Sequence, residues 1–348
     1  MRNCNKGDVA RRSSALIVRL LFHASKFKLK MGSPIFVRDA NAFEFIKYLC
    51  RRYGGRMEII MKLSMESYIP VRRFGEKEGL KMIKDAGFDG VDFSYYEFDF
   101  NTPALGDGYV EYANTIRAHL DEIGLECCQA HAPYVMTYES AFDLSDINYR
   151  TTVHSIESAA ILGAKAIVVH TVIVPDSITE FTMWEFNQKY YKALLPYAEK
   201  AGIKIAVENL YCYDHENCVF VGRLGTPQEL TAFVKELNSP YIVACVDVGH
   251  ASITGYKPEK FIDGMDGSIL KAIHIHDGDY QDDRHMLPYL GHFHWPEILE
   301  ALKKKGYDGP LNFETVTYLA RFPKELIPNA LSLAAKTGRY MIDIFEKL

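Results

Sequence analysis

From residue 57 onward, short β-branched or apolar runs alternate with amphipathic helical stretches, and the alternation occurs eight times. The starts of the apolar runs are separated by roughly 28–40 residues, which is the length of one βα unit. We therefore predict eight strands, at Glu58–Ser64, Gly90–Ser94, Glu126–His131, Lys165–His170, Lys204–Glu208, Ile242–Asp247, Leu270–His276 and Pro310–Glu314.

An alternating order of strands and helices predicts a parallel sheet with right-handed crossovers. Eight repeats favour a closed (β/α)8 TIM barrel over an open doubly wound sheet. An open sheet would also carry a glycine-rich phosphate turn after its first strand, and the segment Met65–Pro70 contains no GxGxxG motif. The predicted fold is an α/β, single-domain barrel over residues 57–348, with a short N-terminal extension.

Several predicted helices have recognisable ends. A glycine follows each of Gly75–Ala86, Gly108–Ile123 and Tyr149–Leu162 and suits the C-cap position. Ser145 with Asp146, and Thr226 before Pro227, predict two helix starts. The last predicted helix is Lys324–Lys347.

Residues 1–56 do not follow this alternation, and their charge differs from that of the remaining chain. They carry 13 Lys and Arg against three Asp and Glu, whereas residues 57–348 carry 27 against 42. A basic arm can bind nucleic acid or a membrane surface. We instead expect a disordered extension or a start site assigned too early, because Met57 and Met61 stand at the beginning of the first predicted strand.

The seven cysteines form no CxxC pair, and only Cys127 and Cys128 are adjacent. An odd, scattered set in a chain of 348 residues does not suit a disulfide scaffold, so we expect a reducing, cytoplasmic location. The apolar run Ala15–Val18 is followed by Arg19 and is too short to span a membrane. We expect no membrane association.

Polar residues collect at the carboxyl ends of the predicted strands, where the active site of a (β/α)8 barrel forms. Six of the twelve histidines lie at these ends or in the loop after the seventh strand. Unpaired buried acids and imidazoles would be costly, and a metal removes that cost. Imidazole with carboxylate favours Zn, Mn or Co over Mg. The candidate residues are His131, His170, Glu208, Asp247, His250, His274, His276, Asp283, His285 and Glu314.

These residues resemble the motifs of the xylose isomerase-like TIM barrel superfamily, which includes sugar-phosphate isomerases and epimerases and AP endonuclease family 2. In chain order the motifs are His131-Ala-Pro-Tyr, His170, Glu208-Asn209, Asp247-Val-Gly-His250, His274-Ile-His-Asp277, Asp283-Arg-His285 and Phe313-Glu314-Thr315. The resemblance covers residues 57 to about 345, with each motif on the expected strand.

The resemblance implies a divalent metal held by Glu208, Asp247, His274 and Glu314, with Glu208 and Glu314 also acting as the catalytic acid–base pair. His274 matches the His-x-x-Asp spacing of the family. His276 lies two residues on, points to the same side of the strand and is a rival ligand. The residues implied to bind substrate or a second metal are His131, His170, His250, His276, Asp283 and His285.

The implied activity is metal-dependent isomerisation or epimerisation of a sugar, sugar phosphate or polyol. A metal bound to the carbonyl stabilises the enediolate that forms when the adjacent carbon loses its proton. One carboxylate removes the proton, and the same or the opposite carboxylate returns it. Return to the neighbouring carbon isomerises the sugar, and return to the opposite face epimerises it.

Two other activities are compatible with the motifs. Endonuclease IV uses three zinc ions to cut DNA at abasic sites, and all nine positions of its ligand set are occupied here by competent residue types. The acidic balance of residues 57–348 argues against DNA as the substrate. An inosose dehydratase-type lyase is the second alternative. We expect a small-molecule partner, no nucleic acid, and a possible homodimer through the last helix.

Overall fold

The computed structural model describes residues 61–134, 145–173, 182–214 and 219–348. Within these ranges, regular structure begins at strand β1 (Leu63–Glu66) and ends with helix α11 (Ile327–Lys347). The predictions for residues 1–56 and for a start at Met57 lie outside the described residues.

Eight parallel strands form one sheet that closes on itself, which confirms the predicted (β/α)8 barrel. The strands follow the order β10-β1-β2-β3-β4-β5-β8-β9 around the sheet. The first and last strands of that order meet at Ile275, whose amide donates to the Asn312 carbonyl at 2.8 Å and whose carbonyl accepts from the Glu314 amide at 3.1 Å. The strands after β1 are β2 (Gly90–Ser94), β3 (Glu126–His131), β4 (Ala166–Val169), β5 (Lys204–Glu208), β8 (Ile242–Asp247), β9 (Leu270–His274) and β10 (Leu311–Phe313).

Helices follow the strands and cover the outside of the barrel. They are α1 (Tyr68–Phe74), α2 (Glu76–Ala86), α3 (Tyr109–Ile123), α4 (Ile147–Leu162), α5 (Met183–Ala201), α6 (Pro227–Leu237), α7 (Val248–Ile253), α8 (Pro258–Gly264), α9 (Trp295–Lys304), α10 (Val316–Ala320) and α11. Gly87, Gly124 and Gly163 end α2, α3 and α4 in the left-handed conformation, as predicted. Asp146 and Thr226 cap the predicted helix starts through their side chains.

The first strand and the last helix differ from their predicted positions. The run Glu58–Ser64 predicts an end at Ser64, whereas β1 continues to Glu66 because Met65 pairs with Val91 on one side and with Phe313 on the other. At the C-terminus a 3-10 turn precedes α11, which starts with a proline in its first turn.

A hairpin that the sequence analysis did not predict follows β5. Its strands β6 (Leu210–Asp214) and β7 (Val219–Arg223) are antiparallel, with Leu210 opposite Arg223. Because β6 begins two residues after Glu208, the hairpin starts at the carboxyl end of the barrel.

The barrel interior contains two buried layers. Small apolar side chains from β4, β5, β8 and β9 form a cluster separate from the main core between strands and helices: Ala166, Val168, Ala206, Val243, Cys245 and Ala272. On the other side, Asp92 Oδ2 accepts from Gln129 Nε2 at 2.6 Å and from Asn312 Nδ2 at 2.7 Å. These bonds link β10, β2 and β3 across the interior.

Among the described residues, no helix combines the length and the apolar character that crossing a membrane requires.

At the amino end of the barrel, Asp89 joins β1 to the C-terminal helix. Its Oδ2 accepts from the Leu63 amide at 2.9 Å and from the Arg339 guanidinium at 2.7 Å, while its Oδ1 accepts from the same guanidinium at 2.8 Å. Burial works to raise the pKa of Asp89, but the Arg339 charge and the Leu63 amide outweigh it and lower the pKa.

We expect Asp89→Asn to reduce the free energy of unfolding by about 1 kcal/mol at pH 7, because the ion pair is partly exposed. The pKa of Asp89 is lower in the folded than in the unfolded chain. Its stabilising contribution is therefore present above the unfolded value, near 3.9, and is lost as the pH falls through the folded value. Urea unfolding should show the difference between wild type and variant narrowing below about pH 4.

Asp308→Asn, which alters an exposed pair with Lys271, serves as the control and should have a smaller effect at pH 7. A wild-type advantage over Asp89→Asn that stays constant from pH 7 to pH 3 would contradict the assignment.

Candidate functional site

Four strands bring four predicted ligands together at the carboxyl end of the barrel. Glu208 ends β5, Asp247 ends β8, His274 ends β9 and Glu314 follows β10. Each offers one ligand atom within 4.8 Å of the others, and all four residues are buried. We refer to these four residues as the central cluster.

His274 lies in the middle of the central cluster. Its Nδ1 is 3.0 Å from Glu314 Oε2, 3.2 Å from Glu208 Oε1 and 3.7 Å from Asp247 Oδ2. Its Nε2 is buried without a hydrogen-bond partner and lies 3.8 Å from Asp92 Oδ2. One ring nitrogen therefore faces the carboxylates, and the other faces the barrel interior.

The chemistry of the central cluster suits a divalent cation. Three carboxylates buried in one site repel one another, and a cation between them offsets both this repulsion and the cost of burial. One imidazole with carboxylate oxygens is a ligand set that suits Zn, Mn and Co better than Mg. The side chains thus fit the metal that the sequence analysis predicts.

His131 and His170 lie on the other side of Glu208. His170 Nε2 is 2.9 Å from Glu208 Oε2 and 3.0 Å from His131 Nε2. His131 also forms, with Glu208 and His274, a second set of three groups whose ligand atoms lie within 4.8 Å of one another. Glu208 therefore has one oxygen directed at His274 and the other at two imidazoles.

His250, Asp283 and His285 form a third set, which we call the distal cluster. His285 Nε2 is 3.0 Å from Asp283 Oδ2, and His250 Nε2 is 3.4 Å from the same oxygen. Their ligand atoms also lie within 4.8 Å of one another. The loop after β9 supplies two of the three residues, so its conformation determines whether this cluster exists.

His276 lies between the central and distal clusters. Its Nε2 is 3.1 Å from both carboxylate oxygens of Asp247, and its ring stacks on that of His285 with the centroids 4.1 Å apart. His274 instead has three carboxylates around a single nitrogen. The geometry favours His274 over His276 as the nitrogen ligand of the central cluster.

The Asp247-Val-Gly-His250 motif has a local structural reason for its spacing. Asp247 is the N-cap of α7, and its Oδ1 accepts from the His250 amide at 2.7 Å. Asn209 exchanges two hydrogen bonds with the backbone of Asp247. A Cβ at Gly249 would lie 2.0 Å from His276 Cε1, so only glycine leaves room for that imidazole.

Electrostatics keeps both glutamates of the central cluster ionised in the metal-free protein. Burial works to raise the pKa of Glu208, but the charge of His274 and the hydrogen bond from His170 outweigh it and hold the pKa well below its usual value. Burial opposes ionisation of Glu314 in the same way, and its pKa is nevertheless lowered by His274 and His285. Both side chains are therefore ionised at neutral pH.

The histidines around them carry different charges. Burial lowers the pKa of His170 to about 4, even though Glu208 lies beside it, so this imidazole is neutral at pH 7. Burial also works to lower the pKa of His285, but the charge and hydrogen bond of Asp283 outweigh it and raise the pKa to about 10. The distal cluster thus contains a strong ion pair in the metal-free protein.

The sequence analysis missed three residues that contact the clusters. The Tyr96 hydroxyl donates to Glu314 Oε1 at 2.5 Å, and the Tyr211 hydroxyl donates to Asp283 Oδ2 at 3.1 Å. Asp92 lies behind His274, as described above. Tyr96 follows the end of β2 by two residues and Tyr211 follows Glu208 by three, and this proximity to strand ends was the available signal.

Comparison with known proteins agrees with the motifs. The family model described as xylose isomerase-like TIM barrel matches residues 80–336. The uncharacterised protein MJ1311 of Methanocaldococcus jannaschii is 32% identical over 165 residues, which cover 46% of this chain and 54% of that protein. The protein y4fM of Sinorhizobium fredii is 26% identical over 267 residues, covering 69% of this chain and 81% of that protein. The chain thus aligns with about half the length of MJ1311 and with most of y4fM.

Solved structures share the fold. A D-tagatose 3-epimerase-like protein has a TM-score of 0.61 at 23% identity, covering 82% of this chain and 99% of that one. D-psicose 3-epimerase of Clostridium cellulolyticum H10, solved with D-tagatose, has a TM-score of 0.62 at 16% identity, covering 81% and 99%. The IolI protein with a bound zinc atom has a TM-score of 0.59 at 18% identity, covering 82% and 99%. At these identities the similarity concerns the fold alone.

Asp277 organises the loop that carries Asp283 and His285. Each of its two carboxylate oxygens accepts two hydrogen bonds from protein donors, at distances of 2.8–3.1 Å. The donors are the amides of Gly278, Tyr289 and Phe293 and the indole nitrogen of Trp295. Asp277 therefore anchors the loop.

We expect Asp277→Ala to reduce the free energy of unfolding by about 3 kcal/mol or more, because it leaves four donors without their acceptor. Asp282→Ala, in the same loop but exposed, should cost about 1 kcal/mol or less. Chemical unfolding of both variants measures the difference, and equal losses would show that Asp277 does not anchor the loop.

Proposed function

Because the chain belongs to the xylose isomerase-like TIM barrel family, we propose that it is a divalent-metal-dependent isomerase or epimerase of a sugar, sugar phosphate or polyol. The central cluster carries the proposal. It places two ionised glutamates beside one imidazole nitrogen at the end of a barrel where active sites of this fold form.

Proteins with similar folds support this class of enzyme. They include a D-tagatose 3-epimerase-like protein and a D-psicose 3-epimerase with D-tagatose. The IolI structure, which holds a zinc atom, supports a divalent metal. Glu208, Asp247, His274 and Glu314 would hold the metal in this chain. When bound, such an ion polarises a carbonyl and stabilises the negative charge that develops as a neighbouring carbon loses a proton.

Glu208 and Glu314 are the proposed proton-transfer groups. They approach His274 Nδ1 from different strands, and each is ionised, so either can accept a proton from the substrate. Return of the proton by the same carboxylate to the neighbouring carbon gives isomerisation. Return by the opposite carboxylate to the other face of the same carbon gives epimerisation.

Neighbouring side chains fix the orientation of these two carboxylates. Tyr96 holds Glu314 Oε1, while His170 holds Glu208 Oε2. Since His170 is neutral, it orients Glu208 without adding a full charge beside it. Each glutamate thus keeps one oxygen toward His274, while its other oxygen is oriented by a hydrogen bond.

Aromatic side chains near the clusters suit a sugar. Tyr134 packs edge-on against His170 with the ring centroids 5.0 Å apart, and the tyrosine is 51% exposed. Tyr211 packs edge-on against His250 at 5.0 Å. Ring faces of this kind cover the apolar CH side of a carbohydrate.

One observation favours a second function, an AP endonuclease with a three-zinc site. All nine residues of that ligand set converge on this end of the barrel, in the three sets formed around Glu208, the central cluster and the distal cluster. Residues 57–348 carry 27 basic against 42 acidic residues, a balance that disfavours binding to DNA phosphates. We therefore place this function second.

A cytoplasmic location and a homodimer remain predictions for this chain. Cys127 and Cys245 are buried free thiols, which suits a reducing compartment. Leu333 and Tyr340 are more than half exposed on α11, the helix predicted to contribute to dimerisation.

We expect Glu208→Gln and Glu314→Gln each to lower turnover by about 100-fold or more, because an amide cannot accept the proton. Incubation of the metal-loaded protein with ketoses, aldoses, inososes and their phosphates in heavy water, followed by NMR, measures turnover as deuterium entering the substrate. Loss of water from the substrate identifies dehydration, which also begins with removal of a carbon-bound proton, whereas isomerisation and epimerisation retain every oxygen atom.

Glu300→Gln, on the exposed face of α9, is the matched control and should retain wild-type exchange. Elemental analysis of each variant distinguishes loss of the base from loss of metal. If a Glu208→Gln or Glu314→Gln protein keeps its metal and exchanges deuterium at the wild-type rate, the replaced glutamate is not the base.

The endonuclease hypothesis predicts cleavage of DNA at abasic sites. We expect the wild type to cleave such DNA no faster than Glu208→Gln does. The assay should compare the full chain with residues 57–348, because the basic residues 1–56 supply the positive charge that the barrel lacks. Metal-dependent cleavage that Glu208→Gln abolishes would make the nuclease the first candidate.

A further inference from the structure

Arg223, the last residue of β7, is half-buried at the carboxyl end of the barrel. Its Nη1 donates to the carbonyl of Thr171, the residue after His170, at 3.2 Å. Its Nε is buried and has no hydrogen-bond partner. Across the hairpin Arg223 pairs with Leu210, two residues after Glu208. The guanidinium therefore lies between the ends of β4 and β5.

This arginine has no carboxylate partner among the described residues. The other arginine near the clusters, Arg284, is paired with Asp279 at 3.0 Å. The titratable groups whose charges act on the Arg223 guanidinium include Tyr134, Cys212, Tyr191 and Glu208. A guanidinium has five N–H donors in a planar fork, and the single bond to Thr171 occupies one of them. Burying the Nε–H donor without a partner is costly.

Two further polar atoms beside Arg223 are also without partners. Thr171 Oγ1, on the residue that Arg223 contacts, is buried and makes no hydrogen bond, and the same is true of His170 Nδ1. His170 uses its other nitrogen to contact Glu208 at 2.9 Å. Thr171 Oγ1 is therefore an unused hydroxyl donor next to the guanidinium, on the residue that follows His170.

We propose that Arg223 binds an anionic group, a phosphate or a carboxylate, carried by the sugar substrate. An arginine fork recognises either group through two parallel charge-assisted hydrogen bonds. The anion would supply the negatively charged partner that Arg223 lacks, while the reacting carbons of the substrate lie at Glu208 and Glu314. This inference rests on the proposed function and narrows its substrate to acidic sugars.

Binding of inorganic phosphate and of acetate to the metal-depleted protein tests the site apart from catalysis, because no metal is then present to bind either ion. We expect calorimetry to show that Arg223→Met weakens binding of at least one of them by about 10- to 100-fold. Arg72→Met, which removes an equal charge from an exposed ion pair near the same end of the barrel, should bind as the wild type does. Preference for phosphate or for acetate identifies the group.

Measurement of turnover is the second test of the proposed anion site. With a sugar and its phosphate or its acid derivative compared side by side, Arg223→Met should raise KM for the anionic substrate about 10-fold or more and leave the neutral one unchanged. Arg223→Lys, which keeps the charge but not the fork, should recover part of the loss.

The two proposals fail in different ways. If no sugar exchanges deuterium while Arg223→Met still loses anion binding, the anion site stands and the isomerase function does not. If the wild type binds neither ion, or if wild type and Arg223→Met bind both equally, the anion site is wrong. Equal loss of turnover on neutral and anionic sugars, with a lower melting temperature for Arg223→Met and Arg223→Lys, would show that Arg223 only fastens the hairpin to β4.

Discussion

The cost of burying three carboxylates next to one another governs the carboxyl end of this barrel. Glu208, Asp247 and Glu314 are each at most 3% exposed, and each approaches His274 Nδ1. In an interior of low dielectric constant such a group is stable only if positive charge or hydrogen-bond donors surround it. Imidazoles and a tyrosine hydroxyl provide part of that compensation, and a divalent cation would provide the rest. The negative charge of the central cluster thus explains why imidazoles and a tyrosine hydroxyl surround it.

Below the central cluster, hydrogen-bond donors also compensate for the burial of a further carboxylate, that of Asp92. Asp92 receives two amide donors on one oxygen, from Gln129 and Asn312, while its other oxygen has no partner. The same carboxylate is the nearest acid to His274 Nε2. The 3.8 Å separation is too long for a hydrogen bond, but the negative charge of Asp92 favours a proton on Nε2, which leaves Nδ1 to act as the proposed ligand. The polar side chains of β2, β3 and β10 therefore connect the packing of the barrel to the direction of the imidazole.

Periodicity in the sequence predicted the barrel because parallel strands buried on both sides are near-continuous apolar runs of fixed spacing. The same runs located Glu208, Asp247 and Glu314, since each of them follows an apolar run at a strand end, whereas His274 was preferred to His276 through the spacing of the family motif. The end of β1 was placed two residues early because its last residues are held by pairing with β2 and β10, which a local pattern does not encode. The hairpin, Tyr96 and Arg223 were missed for a related reason. Their roles depend on contacts with other strands, and a tyrosine or an arginine in a loop has no local signature of such contacts.

The predicted residues of the central cluster and the missed residues around it differ in their proposed chemical roles. The proposed role of the central cluster concerns only the reacting atoms of a substrate, which is why its residues suit a sugar enzyme and a nuclease alike. Discrimination between those substrates must come from groups farther out, where charge and shape differ. Tyr211 and Arg223 lie on the hairpin between β5 and α6, and both contact groups at the barrel end, Asp283 and Thr171. Residues 57–348 carry more acidic than basic side chains, which disfavours a polyanionic DNA backbone, whereas one unpaired guanidinium suits one compact anion. The proposed anion site would thus make the hairpin contribute to the choice of substrate.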